Sequence, residues 1–227
     1  AKDWKEHNAD LEKRCNYLNS LGLNYLEYKS SNGTDFRVEL NEDGLFCGGD
    51  EKTLKGRVFN PNIPSEEVFT SPKAGAAEGI VYATKPLSYQ GQLIENFSVR
   101  FTNGRVSEVK AEKGEELLKQ MVSMDEGAAM LGECALIPYD SPINNSGVLF
   151  YNTLFDENAS CHLALGHGFN ECLKGYENYT NEQCKEHGVN DSMIHVDFMI
   201  GSKDMSIVGV TKDGERVQIF KDGNWAF

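Results

Sequence analysis

A histidine and an aspartate stand two residues apart in Ile194-His195-Val196-Asp197-Phe198-Met199-Ile200-Gly201, an apolar run whose length and composition predict a strand. Side chains alternate along a strand, so His195 and Asp197 share one face while Ile194, Val196 and Phe198 take the other. An imidazole and a carboxylate placed in this way reach one divalent ion or two adjacent ones. Alone, the pair reads more simply as the polar face of a half-exposed strand. Its meaning depends on what other segments bring to it.

Three further segments set acids or histidines among apolar or turn residues. They are Pro64-Ser65-Glu66-Glu67-Val68-Phe69-Thr70-Ser71-Pro72, Leu131-Gly132-Glu133-Cys134-Ala135-Leu136, and Phe155-Asp156-Glu157-Asn158-Ala159-Ser160-Cys161-His162-Leu163-Ala164-Leu165-Gly166. Glu133 is the sharpest of these signals, because an ionised carboxylate buried between Leu131 and Ala135 costs several kcal/mol unless a cation or donors compensate it. His162 enters an apolar run, where a lone histidine is more often a satisfied core residue than a ligand. Taken together, the segments offer two imidazoles and three or more carboxylates, a donor set suited to zinc, cobalt or manganese. Zinc-finger spacing and a His-Glu-x-x-His helix are both lacking, so the donor balance points to two ions sharing a carboxylate and a water. Cys161 beside His162 is a poor nucleophile pair, because neighbours on a strand face opposite ways. Gly48-Gly49 and Gly132 read as turns.

The elements that must position these groups are mostly hairpins. Tyr25-Leu26-Glu27-Tyr28 and Phe36-Arg37-Val38-Glu39-Leu40 flank the turn Ser31-Asn32-Gly33-Thr34. A second hairpin is predicted about Asn103-Gly104, and a third about Lys212-Asp213-Gly214. Helix is predicted over Asp3 to Asn19 and from Glu115 to Met124, the latter continuing toward Met130, and the polar stretch Gly175 to Asn190 reads as a long loop or short surface helix. The fold class expected is α+β, a mostly antiparallel, hairpin-rich sheet with a few helices, and nothing invites a domain cut within residues 1–227.

The 227 residues carry 40% hydrophobic and 25% charged side chains, with 35 acids against 22 Lys and Arg and a formal net charge of −13. No apolar run approaches the ~20 residues of a membrane span. With no basic cluster to meet phosphate, nucleic acid is not an expected partner, nor is a membrane. The six cysteines lie in unrelated contexts and read as reduced, partly buried thiols. The expected compartment is the cytoplasm.

From about Val38 nearly to the C-terminus, four ordered motifs resemble those of the aminopeptidase T, aminopeptidase S and PepS metallopeptidases, the thermophilic-metalloprotease type. These are Asn62 to Pro72, Gly132-Glu133, Asp156 to Gly166 and His195 to Gly201. The resemblance implies a metal-dependent aminopeptidase, cytoplasmic and homodimeric, that uses two divalent ions, zinc or cobalt, and metal-activated water to release N-terminal residues from peptides. It implies that Glu67, Glu133, His162, His195 and Asp197 are metal ligands and that Glu157 is a further acidic position of the site. Either Glu66 or Glu157 then serves as general base or as anchor for the substrate ammonium, with Glu157 preferred as the base. It also implies that this chain corresponds to the C-terminal catalytic domain of a two-domain enzyme. The sequence departs from the family pattern at Phe169, where many members carry a tyrosine; Tyr176, Tyr179 and His167 are the nearby substitutes. Two other readings stay open at this point: a fragment that binds metal without turnover, and a β-rich interaction module.

Overall fold

The strands form two antiparallel sheets that share one core, with one short two-stranded pair apart from them. In the computed structural model, which describes residues 2–53 and 55–227, helix α1 (Lys2–Ser20) precedes the hairpin β1 (Leu23–Lys29) and β2 (Asp35–Leu40). The chain continues through the short pair β3 (Glu51–Lys52) and β4 (Val58–Phe59), then β5 (Val68–Thr70), β6 (Pro72–Tyr82), β7 (Leu87–Tyr89), β8 (Gln92–Thr102) and β9 (Arg105–Lys113). Helix α2 (Glu115–Val122) leads to β10 (Leu131–Leu136), the single turns α3 (Pro142–Asn145) and α4 (Thr153–Asp156), and β11 (His162–Gly166). Helix α5 (Asn181–Glu186), β12 (His195–Met199), β13 (Ser206–Thr211), β14 (Arg216–Lys221) and β15 (Asn224–Trp225) complete it.

The larger sheet has nine strands in the order β15-β14-β13-β1-β2-β6-β8-β7, with β9 also paired to β8. The smaller sheet has the order β12-β11-β10-β5. All three predicted hairpins lie in the larger sheet. Strands β5 and β6 form one extended run broken at Ser71, and the break passes the chain from the small sheet to the large one. Alternation then sorts the small sheet's residues. Val68, Cys134, Leu136, Leu163, Leu165, Val196 and Phe198 are buried on its core side, in one cluster with Tyr28, Phe36, Phe97 and Phe101 of the large sheet. Phe97 and Phe198 meet across the layers with ring centroids 5.8 Å apart. Leu11, Cys15 and Leu18 fix α1 to the same core at helical spacing.

Two expectations are corrected. Helix α2 stops at Val122 rather than running toward Met130, because the Asp125 carboxylate accepts from the backbone of Ala128 (2.8 Å) and Met193 (2.7 Å) and so holds the chain in a turn. Gly132 is not a turn residue but sits inside β10, where the β10–β11 register shifts between Leu131 and Glu133. A Cβ built there would lie 2.2 Å from the His167 carbonyl oxygen and 2.3 Å from that of Gly166. The stretch 175–190 holds α5, opened by a capping box in which Thr180 accepts from the Gln183 N–H and the Gln183 side chain accepts from the Thr180 N–H. Since backbone rather than a flexible side chain crowds position 132, Gly132→Ala is expected to cost about 1–3 kcal/mol of stability by chemical denaturation.

Candidate metal centre

The small sheet's second face carries the polar groups, and register explains how they converge. Glu133 lies opposite Ala164, which in turn lies opposite Asp197, so two carboxylates flank the smallest side chain in the row. His162 occupies the next same-face position on the middle strand, opposite Ala135 and Met199. His195 reaches in from the start of β12, and Glu67 from the residue preceding β5. Four adjacent strands thus aim five side chains into the space above Ala164.

The distances are those of groups arranged about a cation. His162 Nε2 is 3.5 Å from Glu67 Oε2, 4.0 Å from Glu133 Oε2 and 3.9 Å from Asp197 Oδ1. His195 Nε2 is 3.3 Å from Glu133 Oε2 and 3.2 Å from Asp197 Oδ1. Each imidazole is oriented through its other nitrogen: His162 Nδ1 lies 3.0 Å from the Glu157 carbonyl oxygen and His195 Nδ1 lies 2.7 Å from that of His167. Carbonyls accept only, so both Nδ1 atoms carry protons and each Nε2 is the nitrogen turned toward the carboxylates, the one that would ligate a metal once deprotonated. Asp197 Oδ1 is buried without a hydrogen-bond partner. Ligand atoms of Glu67, Glu133 and His162 lie within 4.8 Å of one another, as do those of Glu133, His195 and Asp197. Glu133 belongs to both groups. An orphaned buried oxygen, two inward-facing imidazole nitrogens and a shared carboxylate fit divalent ions.

Charge repulsion in the absence of ions appears in the titration behaviour. Burial, reinforced by the Asp197 charge, pushes the Glu67 carboxyl up to about 7. Burial does the same to Glu133, also to about 7, against the pull of His195 and His162. Glu157 goes furthest, to about 9, through burial and the charges of Asp197, Glu67 and Glu133. Burial lowers the His195 imidazole, but the Asp197 and Glu133 carboxylates beside its Nε2 outweigh it and raise the group to about 11. Asp197 is the converse case, its carboxyl held below the usual range by His195 and His162 despite burial.

Glu157 lines the cleft beside these five side chains, whereas Glu66 turns aside, its carboxylate 3.8 Å from His7 Nε2. Asn158, fully buried, sets these positions. Its Oδ1 accepts from the Glu66 N–H (2.7 Å), and its Nδ2 donates to the carbonyls of Leu154 (2.9 Å) and Pro64 (3.4 Å), which ties the Glu67 segment to the Glu157 segment. Phe169 packs on His195 with ring centroids 4.9 Å apart and on Phe69 at 5.4 Å. Of the three substitutes for a tyrosine at that position, only Tyr176 lines the cleft. Tyr179 stacks on His187 and His167 lies 3.6 Å from Asp191.

The cleft itself is about 870 Å³. Phe69 forms part of one wall, and sequence reading did not anticipate that α1, through Glu12, Cys15, Asn16 and Asn19, and the segment Phe46–Lys52 would line the cleft too. One local signal bears on the latter: a Cβ at Gly48 would stand 2.5 Å from the Glu67 carbonyl oxygen, so that glycine lets a cleft wall lie against a ligand's backbone. No helix among the described residues is long and apolar enough to cross a membrane.

The chain is similar in sequence and fold to several known proteins. The chain is 48% identical over 224 residues to aminopeptidase AmpS of Bacillus subtilis, covering 99% of this chain and 54% of that protein. It is 45% identical over 222 residues to aminopeptidase T of Thermus aquaticus, covering 98% and 54% respectively. The chain therefore spans about half the length of the curated relatives it matches. The solved structure of wild-type AmpT from Thermus thermophilus superimposes with a TM-score of 0.93 at 43% identity, covering 100% of this chain and 56% of that one. A 2,5-dihydroxypyridine dioxygenase from Pseudomonas putida shares the fold at 15% identity, with a TM-score of 0.63 over 97% of this chain and 62% of that one. The family model described as thermophilic metalloprotease (M29) matches residues 1–225, and the chain belongs to that family.

Proposed function

We propose that this chain holds the dinuclear metal centre of an aminopeptidase acting on peptides with a free N-terminus. The observation that carries this reading is the charge balance of the site. Glu67, Glu133, Glu157 and Asp197 are all buried beside two imidazoles, and two divalent cations would neutralise four carboxylates while leaving both histidines neutral and ligating. Glu133, common to both groups of ligand atoms, is suited to bridge the two ions. Mixed nitrogen and oxygen donors favour zinc or cobalt over magnesium. Bound ions supply a Lewis acid for the scissile carbonyl and ready a water for attack at neutral pH.

The chain's own residues then divide the remaining work. Glu67, Glu133, His162, His195 and Asp197 hold the ions. Glu157 is the general base: it faces the cleft beside the ligands, and the anionic neighbours that raise its pKa are the groups cations would neutralise, returning it toward the range useful for proton transfer. Glu66, turned toward His7, is the second candidate for base or ammonium anchor. The substrate ammonium is drawn by a cleft whose outer walls carry Glu12, Asp50, Glu51 and Glu171 against Lys52. Phe69 and Phe169 form an apolar wall beside the reacting groups. Through the family resemblance, the same reading includes a cytoplasmic homodimer, with residues 1–227 as the catalytic domain.

Glu157→Gln removes the base but none of the five ligands. It is expected to keep the metal content of the parent protein and to lose about 10²–10⁴-fold in kcat on leucine p-nitroanilide with added zinc or cobalt. A fully active Gln variant would rule Glu157 out, and Glu66→Gln tests the alternative.

Metal removal should also expose a pH dependence. Glu67, Glu133, Glu157 and His195 all have folded-state values above their unfolded ones, so the metal-free folded chain binds more protons than the unfolded chain. Its stability is therefore greatest near about pH 5 and falls as pH rises toward about 9. Saturating zinc or cobalt, which requires deprotonated ligands, is expected to raise Tm most at the alkaline end. A metal-free protein whose Tm is flat or rises across that range would contradict the assignment.

A further inference from the structure

One pair of thiols lies at the cleft wall, outside the ligand set. Gly44 forms a bridge with Leu173, the Leu45 N–H donates to the Cys172 carbonyl (2.8 Å), and the Cys47 Sγ–H points at the Glu171 carbonyl (3.6 Å). These contacts lay segment 44–47 against segment 171–173 and bring the Cys47 sulfur against the backbone that carries Cys172, with the two thiols near enough to shift each other's acidity. Cys47 is partly exposed and lines the cleft, whereas Cys172 is fully buried behind it. Backbone pairing in both directions with Phe69, at 2.8 and 2.9 Å, holds Cys47 in place.

We infer that Cys47 and Cys172 form an oxidation site, in which a hydroperoxide reaching the cleft converts the two thiols to an intrachain disulfide. The Cys47 sulfur attacks the peroxide O–O bond, giving Cys47 sulfenic acid and releasing water when the oxidant is hydrogen peroxide. The Cys172 sulfur then attacks the sulfenic sulfur, the S–S bond forms, and the hydroxyl leaves with the Cys172 proton as a second water. Two thiols are oxidised, one peroxide is reduced, and two waters result.

The other four cysteines are poorer candidates for the first step. Cys134 and Cys161 are buried, and burial raises both thiols, that of Cys161 to about 12. Cys15 is also buried, and burial pushes it up to about 12. Cys184 sits in a separate small cluster with Leu173 and Val189. Cys47 alone is shifted the other way, the neighbouring Cys172 thiol lowering it against the effects of burial and of Glu171. Cys15, the remaining neighbour of Cys47, is the competing partner that an experiment must distinguish.

The test is limited hydrogen peroxide treatment of the folded full chain, with zinc present, followed by thiol counting under denaturing conditions and peptide mapping. Loss of two of the six thiols is expected, with the peptides containing Cys47 and Cys172 cross-linked in monomeric protein and reductant restoring the full count. Cys47→Ser should abolish the loss. Cys172→Ser should leave a Cys47 sulfenic acid that dimedone traps. Six intact thiols, a Cys15–Cys47 cross-link, a bond between chains, or over-oxidation of Cys47 without cross-linking would each overturn the inference.

Discussion

Three carboxylates and two imidazoles share one face of a four-stranded sheet, with the Glu157 carboxylate beside them, and the surrounding structure is arranged to hold them there against mutual repulsion. Each ionised carboxylate in such a place costs several kcal/mol unless compensated. Backbone groups supply none of that compensation for Asp197 Oδ1, which has no hydrogen-bond partner. What the backbone does supply is orientation. Carbonyls of Glu157 and His167 fix the two imidazoles, and Gly132 allows β10 to press against the turn that offers the His167 carbonyl. The opposite face of the same strands is apolar apart from Thr70 and packed on the larger sheet, so the polar face cannot rotate away.

Local pattern made much of this legible before any coordinates. The alternation that puts His195 and Asp197 on one face and Val196 and Phe198 on the other is a property of strand geometry, and β12 obeys it. The three hairpins followed from turn chemistry and alternation. Convergence was less accessible, because the meeting of Glu133 with Asp197 above Ala164 depends on the register of three strands, two of them separated by more than 20 residues of loop and short helix. Even so, the four motifs of the family resemblance gather at one cleft. The reading of Gly132 as a turn failed because a glycine required by a neighbouring backbone looks, in sequence, like one required by its own dihedrals. The walls from α1 and Phe46–Lys52 were invisible for a related reason: their residues carry no periodicity that marks them, and only tertiary packing brings them to the cleft.

Fold and chemistry separate cleanly in this molecule. A structure named as a dioxygenase shares the architecture at 15% identity, while relatives named as aminopeptidases share it at 43–48%. The two-sheet scaffold is thus compatible with more than one chemistry, and what this chain can do is decided by the residues of its site. Within that site, the features that favour a hydrolytic metal centre are the shared Glu133, the cleft-facing Glu157 and the anionic walls that suit a substrate's ammonium.

The central claim is that cations complete the buried cluster. It is tested most directly by anomalous diffraction at the zinc edge from crystals grown with zinc. The account predicts strong peaks between the imidazoles and the carboxylates, within about 2.0–2.2 Å of His162 Nε2 and His195 Nε2 and with Glu133 touching both. An empty map there at saturating zinc, with the histidines hydrogen-bonded directly to Glu133 and Asp197, would contradict it.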